Sequence, residues 1–170
     1  ASLAVPMASL IKSSQFGVLC GRLQGKLAAR RFDKKHPSEK PSVTALTYSH
    51  KYTLRSMPPI SDKPYDLAIS FLTPHYFVRE RVNAKKYAAW IHTDYTALSL
   101  DRAAELDMWS KYDAICGVSE QASQGFQAVF PELADKVQTI ENILPGKLIC
   151  KQAENPQRDM PSDESIALLS

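Results

Sequence analysis

His92, Thr93, Asp94 and Tyr95 stand together directly after the apolar run Tyr87-Ala88-Ala89-Trp90-Ile91. An imidazole can take or give a proton near neutral pH, and an acid two positions on makes the pair a candidate for proton or hydroxyl chemistry. The Tyr95 ring could stack on a ligand or shield the edge of a sheet. His75 holds a comparable place, after the apolar run Tyr65 to Leu72 and the pair Thr73-Pro74. In an open α/β sheet, ligands are met at the carboxyl ends of the strands, so both clusters fall where a site is expected. The same residues also suit buried strands that end in polar turns, with Asp94 as a turn cap. No His, Cys, Asp and Glu set has metal-ligand spacing, and no G-x-S-x-G elbow is present for a serine hydrolase.

The elements that must position these residues follow from periodicity and punctuation. Apolar runs at Tyr65–Leu72, Tyr87–Ile91, Tyr112–Val118 and Lys136–Ile140 read as strands. Between them lie helical stretches at Tyr76–Ala84, Leu100–Ser110 and Glu120–Phe130. Leu106 and Trp109 mark the apolar side of the second. Ser119 is a good N-cap for the third, which Pro131 closes. Strands alternating with helices imply βαβ units and a parallel sheet, so the class is α/β with a Rossmann-like sheet flanked by helices. Trp90 and Trp109 are expected in the core, and His36 and His50 in solvent.

The head of the chain differs. From Met7 to Phe32 the pattern is helical, with Phe16, Leu19, Cys20, Leu23 and Leu27 on one face, which is expected to pack against the rest of the domain. Arg22, Lys26 and Arg30 form a basic stripe beside it. Gly17, Gly21 and Gly25 each cost about 1 kcal/mol against alanine, so the helix needs a surface to lie on. A membrane surface bearing anionic lipid is the second option for that surface. Residues 33–64 are punctuated by proline, with a short helix expected around Thr44–Leu54.

The net charge of +3 conceals an asymmetry, because residues 1–60 hold ten Lys/Arg against two acids, Asp33 and Glu39. A basic head on an acidic body points to an anionic surface near the head, a membrane or a polyanion. At 170 residues the chain suits one domain with a proper core. The expected organisation is a basic helical segment over 1–60 within the same domain as a Rossmann-like unit over 61–150. Residues 151–170 are expected to be a linker and the first strand, Ile166 to Leu169, of a second domain. The first ten residues make a poor signal peptide, and no run is long enough to cross a membrane as a helix. Three widely separated cysteines, Cys20, Cys116 and Cys150, favour reduced thiols and a cytoplasmic setting.

The segments YDLAISFLTPHYF, KKYAAWIHTDY, WSKYDAICGVSE, FQAVFPELADKVQTIENIL and SIALLS, in this order, resemble the amino-terminal domain of family-4 retaining glycosyltransferases. The similarity is greatest to bacterial enzymes of surface polysaccharide and glycolipid synthesis, and it covers residues 62–170 well and the first sixty loosely. It implies the GT-B architecture, with two Rossmann-like domains facing each other across a cleft. The first domain would hold a sugar or lipid-linked acceptor and the second a nucleotide-sugar donor. On this resemblance His92 is the catalytic candidate, and Thr93, Asp94, Tyr95, His75, Ser119 and Asn142 are the acceptor-side candidates. The family's glycine-rich loop near its amino terminus has no counterpart here, since Gly17, Gly21 and Gly25 lie in a helical pattern.

The resemblance implies no cofactor or metal in this segment, a nucleotide-sugar as donor for the full-length enzyme, and no nucleic-acid partner. Without the donor-binding domain the 170-residue chain is expected to be inactive. Retaining transfer in this architecture rests on groups that stabilise the departing nucleotide, and these belong to the second domain. The rival reading is a non-catalytic module that engages anionic lipid or another polyanion through residues 12–40. A flavodoxin-like signalling domain is disfavoured, because no acidic cluster follows the first strand.

Overall fold

The computed structural model describes residues 16–143 apart from Thr73, together with Gly146, Ile149 and Cys150. Helix α1 (Phe16–Lys35) is followed by α2 (Thr44–Thr53) and a 3-10 turn at Leu54–Ser56. Strand β1 (Ser61–Ser70), helix α3 (His75–Arg81), strand β2 (Val82–Ile91), helix α4 (Arg102–Trp109), strand β3 (Ala114–Gly117), helix α5 (Glu120–Val129) and strand β4 (Val137–Thr139) then alternate. The expected start of the first helix at 7–15, and the linker and terminal strand over 151–170, lie outside the described residues.

The four strands among the described residues are all parallel, in the spatial order β1-β2-β3-β4. The architecture is therefore α/β and Rossmann-like, as the sequence pattern predicts. Each strand neighbours its predecessor, and right-handed crossovers then place α3, α4 and α5 on one face of the sheet. That face carries Ala68, Tyr87, Ala89, Ile91 and Ile115 into a core with Tyr76, Met108, Trp109, Tyr112, Phe126 and Phe130. Trp109, Phe126, Phe130 and Ile115 have no exposed surface, and each such burial is worth about 2 kcal/mol or more. The aromatic rings meet edge-on or tilted, for example Trp109 and Phe126 at 5.2 Å between centroids. The opposite face is different, because Leu67, Ile69 and Phe71 of β1 and its continuation are about half exposed. Trp90, on that second face, is half-buried and packs against Phe71 at 6.0 Å.

The head joins this unit through α2. Val43 N donates to Ser99 O at 3.0 Å, and Ser99 N donates to Pro41 O at 2.9 Å. Thr47 donates to Glu105 at 2.7 Å, and Tyr48 donates to Asp101. Helix α1 lies antiparallel on α2 by a route that the hydrophobic pattern does not indicate. Its buried residues are Gly21, Gly25 and Ala29, whereas Phe16, Leu23 and Leu27 are 63, 48 and 53 % exposed and Cys20 is exposed. A Cβ on Gly25 would lie 2.7 Å from the Cα of Ser49, and one on Gly21 would lie 2.8 Å from the Tyr52 carbonyl oxygen. The missing side chains let the two backbones touch, and that contact turns the leucine stripe outward. The expectation that Phe16, Cys20, Leu23 and Leu27 pack inward is thereby corrected.

Element boundaries shift in one instructive place. Residues 82–84, read as helix from sequence, belong to β2, because Val82 and Ala84 pair with Ser61 and Tyr65 of β1. The polar residues Asn83, Lys85 and Lys86 hide this strand from a hydrophobicity pattern. Elsewhere the caps follow the sequence signals: Ser119 Oγ accepts from Ala122 N at 3.2 Å at the start of α5, and Asp101 Oδ1 accepts from Ala104 N at 3.1 Å at the start of α4.

Candidate functional site

Between α2, the start of α3 after β1, the segment after β2 and the inward side of α4 lies a cavity of about 400 Å³. This volume is within the range that holds small organic ligands, from about 300 Å³ upward. Its apolar wall includes Val43, Leu46, Leu98 and Met108. Its polar lining is His50, His75, Thr47, Thr93, Tyr76, Tyr95 and Glu105.

His75 is the first residue of α3 and is 6 % exposed. Its Nδ1 shares a 2.8 Å hydrogen bond with the Ser70 hydroxyl at the end of β1, and its ring lies 4.7 Å from that of Trp109. Burial, with lesser contributions from His50 and His92, holds its pKa down at about 4. At neutral pH the ring is uncharged, and no described group bonds to Nε2. The neutral imidazole stands in the cavity wall, where it could donate or accept a hydrogen bond. His50 lies across the cavity on α2, half-buried and likewise held down at about 4, first by burial and then by the nearby Arg22 charge. This corrects the expectation that His50 faces solvent, whereas His36 does face it, stacked on Phe32 at 4.3 Å.

Glu105 is 5 % exposed and accepts from Thr47 through one oxygen and from Trp109 Nε1 at 3.0 Å through the other. Burial raises its pKa against the pull of those two hydrogen bonds. The Tyr76 hydroxyl donates to Ala104 O at 3.0 Å, and burial pushes its phenol up. Tyr95 rests edge-on against Trp109 and Phe126, so its ring closes the core at the sheet edge, and burial raises its phenol as well.

The sequence candidates separate into two groups. His75, Thr93 and Tyr95 line the cavity together. The other candidates are His92, Asp94, Ser119 and Asn142. Exposed at the end of β2, His92 donates from Nε2 to Phe71 O at 2.8 Å, with its ring edge-on to the Phe71 ring. In the neutral ring this leaves the lone pair on Nδ1. Asp94 accepts from both the backbone and the hydroxyl of Thr96, bonds that hold its carboxyl below the usual range. Ser119 is engaged as the cap of α5, and Asn142 is exposed beyond β4.

Several lining residues are not among the sequence candidates, although a signal exists for four of them. Val43, Leu46, Thr47 and His50 fall at i, i+3, i+4 and i+7, one face of α2. Glu105 stands one turn before Trp109 on the inward side of α4. Among the described residues no group of three or more His, Cys, Asp or Glu could hold a metal ion. No helix among them is long and apolar enough to cross a membrane. The chain matches no protein-family model, and no curated protein matches it.

Proposed function

We propose that this chain is the acceptor-side domain of a nucleotide-sugar-dependent glycosyltransferase of the two-domain, retaining, metal-independent kind. One observation carries the reading: a cavity at the carboxyl ends of β1 and β2 joins an apolar wall to the neutral imidazole of His75. That combination suits an amphiphilic acceptor. Its apolar part would lie against Val43, Leu46, Leu98 and Met108, and a hydroxyl would bond to His75. His92, exposed at the same edge, would meet the transferred sugar as it arrives from the opposite domain. The groups that stabilise the departing nucleotide would belong to that opposite domain, and this chain would bind the acceptor.

Octyl glucoside below its micelle concentration is a suitable probe, because Trp109 touches His75 and its fluorescence reports occupancy. Saturable quenching, weakened about tenfold in His75→Ala by loss of the hydrogen bond, is the expected result. Quenching that is absent, or undiminished in that variant, removes the acceptor reading. In the protein joined to its donor-binding domain, His92→Ala should sharply lower sugar transfer, and unchanged transfer would remove His92 from the site.

A further inference from the structure

The outward face of α1 is amphipathic in an unusual sense: its apolar stripe points away from the protein. Phe16, Leu23 and Leu27 are about half exposed or more, and exposed Cys20 lies among them. Lys26, Arg30, Arg31 and Lys34 flank this stripe on the same helix, all exposed. None of these four forms an ion pair among the described residues. The single acid of the helix, Asp33, is turned toward α2, where it accepts from the hydroxyls of Ser42 at 3.0 Å and Thr44 at 2.9 Å. The face therefore offers apolar side chains framed by positive charge alone. The glycine contact explains why the helix can afford this arrangement, since Gly21, Gly25 and Ala29 suffice to hold it on α2.

We infer that this face of α1 docks the protein on an anionic phospholipid bilayer, with Phe16, Leu23 and Leu27 entering the headgroup boundary and Lys26, Arg30, Arg31 and Lys34 meeting lipid phosphates. Two features select a bilayer over another partner. A polyanion such as a nucleic acid would use the charges and leave the leucines wet, whereas an apolar protein groove would not need four exposed cations around its edge. A bilayer interface satisfies both, and a helix of this kind lies in the plane of that interface. The inference stands apart from the glycosyltransferase reading. It gives that reading a geometric sense, because α2, on which α1 lies, supplies one wall of the cavity.

The test is co-sedimentation of the full chain with vesicles of phosphatidylglycerol and phosphatidylcholine in equal parts, against vesicles of phosphatidylcholine alone. Binding to the first at least about tenfold stronger than to the second is expected, falling as salt shortens the Debye length. Leu23→Asn with Leu27→Asn leaves every charge in place and should weaken binding about tenfold or more. Both side chains are exposed, so circular dichroism should show the fold retained. Three results overturn the inference. One is no binding to anionic vesicles. Another is binding that the leucine substitutions do not change, which would mark a site for soluble polyanions. The last is a dimer in sedimentation that dissolves in the leucine variant while vesicle binding stays absent, which would make the face a contact between copies.

Discussion

Replacing Gly25 by alanine should destabilise this protein, although the same change in an exposed helix stabilises by about 1 kcal/mol. The new Cβ would lie 2.7 Å from both the Cα and the amide nitrogen of Ser49 and 2.9 Å from the Tyr48 carbonyl carbon. Ordinary contacts need at least about 3.4 Å, so α1 and α2 must part by roughly 0.7 Å. The obstructing atoms are backbone, and no side chain can swing aside to make room. Overpacking of this kind costs about 1–3 kcal/mol, and the gain in helix propensity returns about 1 kcal/mol, leaving a net loss of up to about 2 kcal/mol. Gly21→Ala meets Tyr52 and Thr53 backbone at 2.8 and 2.9 Å and should behave alike. Because both changes widen one interface, the double variant should lose less than the sum of the two. Thermal unfolding followed by circular dichroism would read the single change as a fall in Tm of about 2–4 °C per kcal/mol lost. A rise in Tm for Gly25→Ala would refute the close approach of α1 to α2, and with it the outward turn of the leucine stripe.

Other consequences are open to direct measurement. The His75 pKa falls from 6.5 to about 4 on folding, so the unfolded chain binds the extra proton first. Stability is full above pH 6.5 and is lost as pH falls toward 4, by about 3 kcal/mol from this group. Urea titrations across that window should show the fall, and it should flatten in His75→Gln. Glu105 is shifted the other way, so its contribution is present below its ordinary value and is lost as pH rises through the raised one. Glu105→Gln, with its oxygen accepting from Trp109 and its amide donating to Thr47, should therefore raise stability at neutral pH and leave it little changed at pH 4. Equal effects at both pH values would contradict the raised pKa. Ser119→Ala removes the acceptor for Ala122 N and should cost about 1 kcal/mol without altering ligand quenching of Trp109.

The sheet was legible in the sequence because each buried strand is a short apolar run with clear punctuation. Ser119 and Pro131 marked the ends of α5 for the same reason. The amino-terminal part of β2 was not legible, since Asn83, Lys85 and Lys86 give it a polar texture while pairing with β1 makes it a strand. The orientation of α1 was misread because hydrophobic periodicity assumes that bulky apolar residues face inward. Here the closeness of two backbones decides, and glycine carries no hydrophobic signal. Of the residues that line the cavity, the candidates His75, Thr93 and Tyr95 stand out in sequence by their places after strands. His50 and Glu105 do not, because a histidine in polar sequence and a glutamate in a helix both look solvated until tertiary contacts with Thr47 and Trp109 enclose them.

The order of strands has a consequence for how the chain is made. Each strand is hydrogen-bonded to the one synthesised just before it, as in the pairs Leu67 with Lys86, Ala88 with Ala114 and Ile115 with Val137. Among the described strands no pairing waits for a distant segment, so within the sheet loops of only about twenty to twenty-six residues need to close, and short closures are fast. The α1–α2 hairpin precedes β1 in the chain and so leaves the ribosome first. Every later βα unit then finds a finished template at the growing edge, so the domain can assemble from its amino terminus onward at the pace of translation.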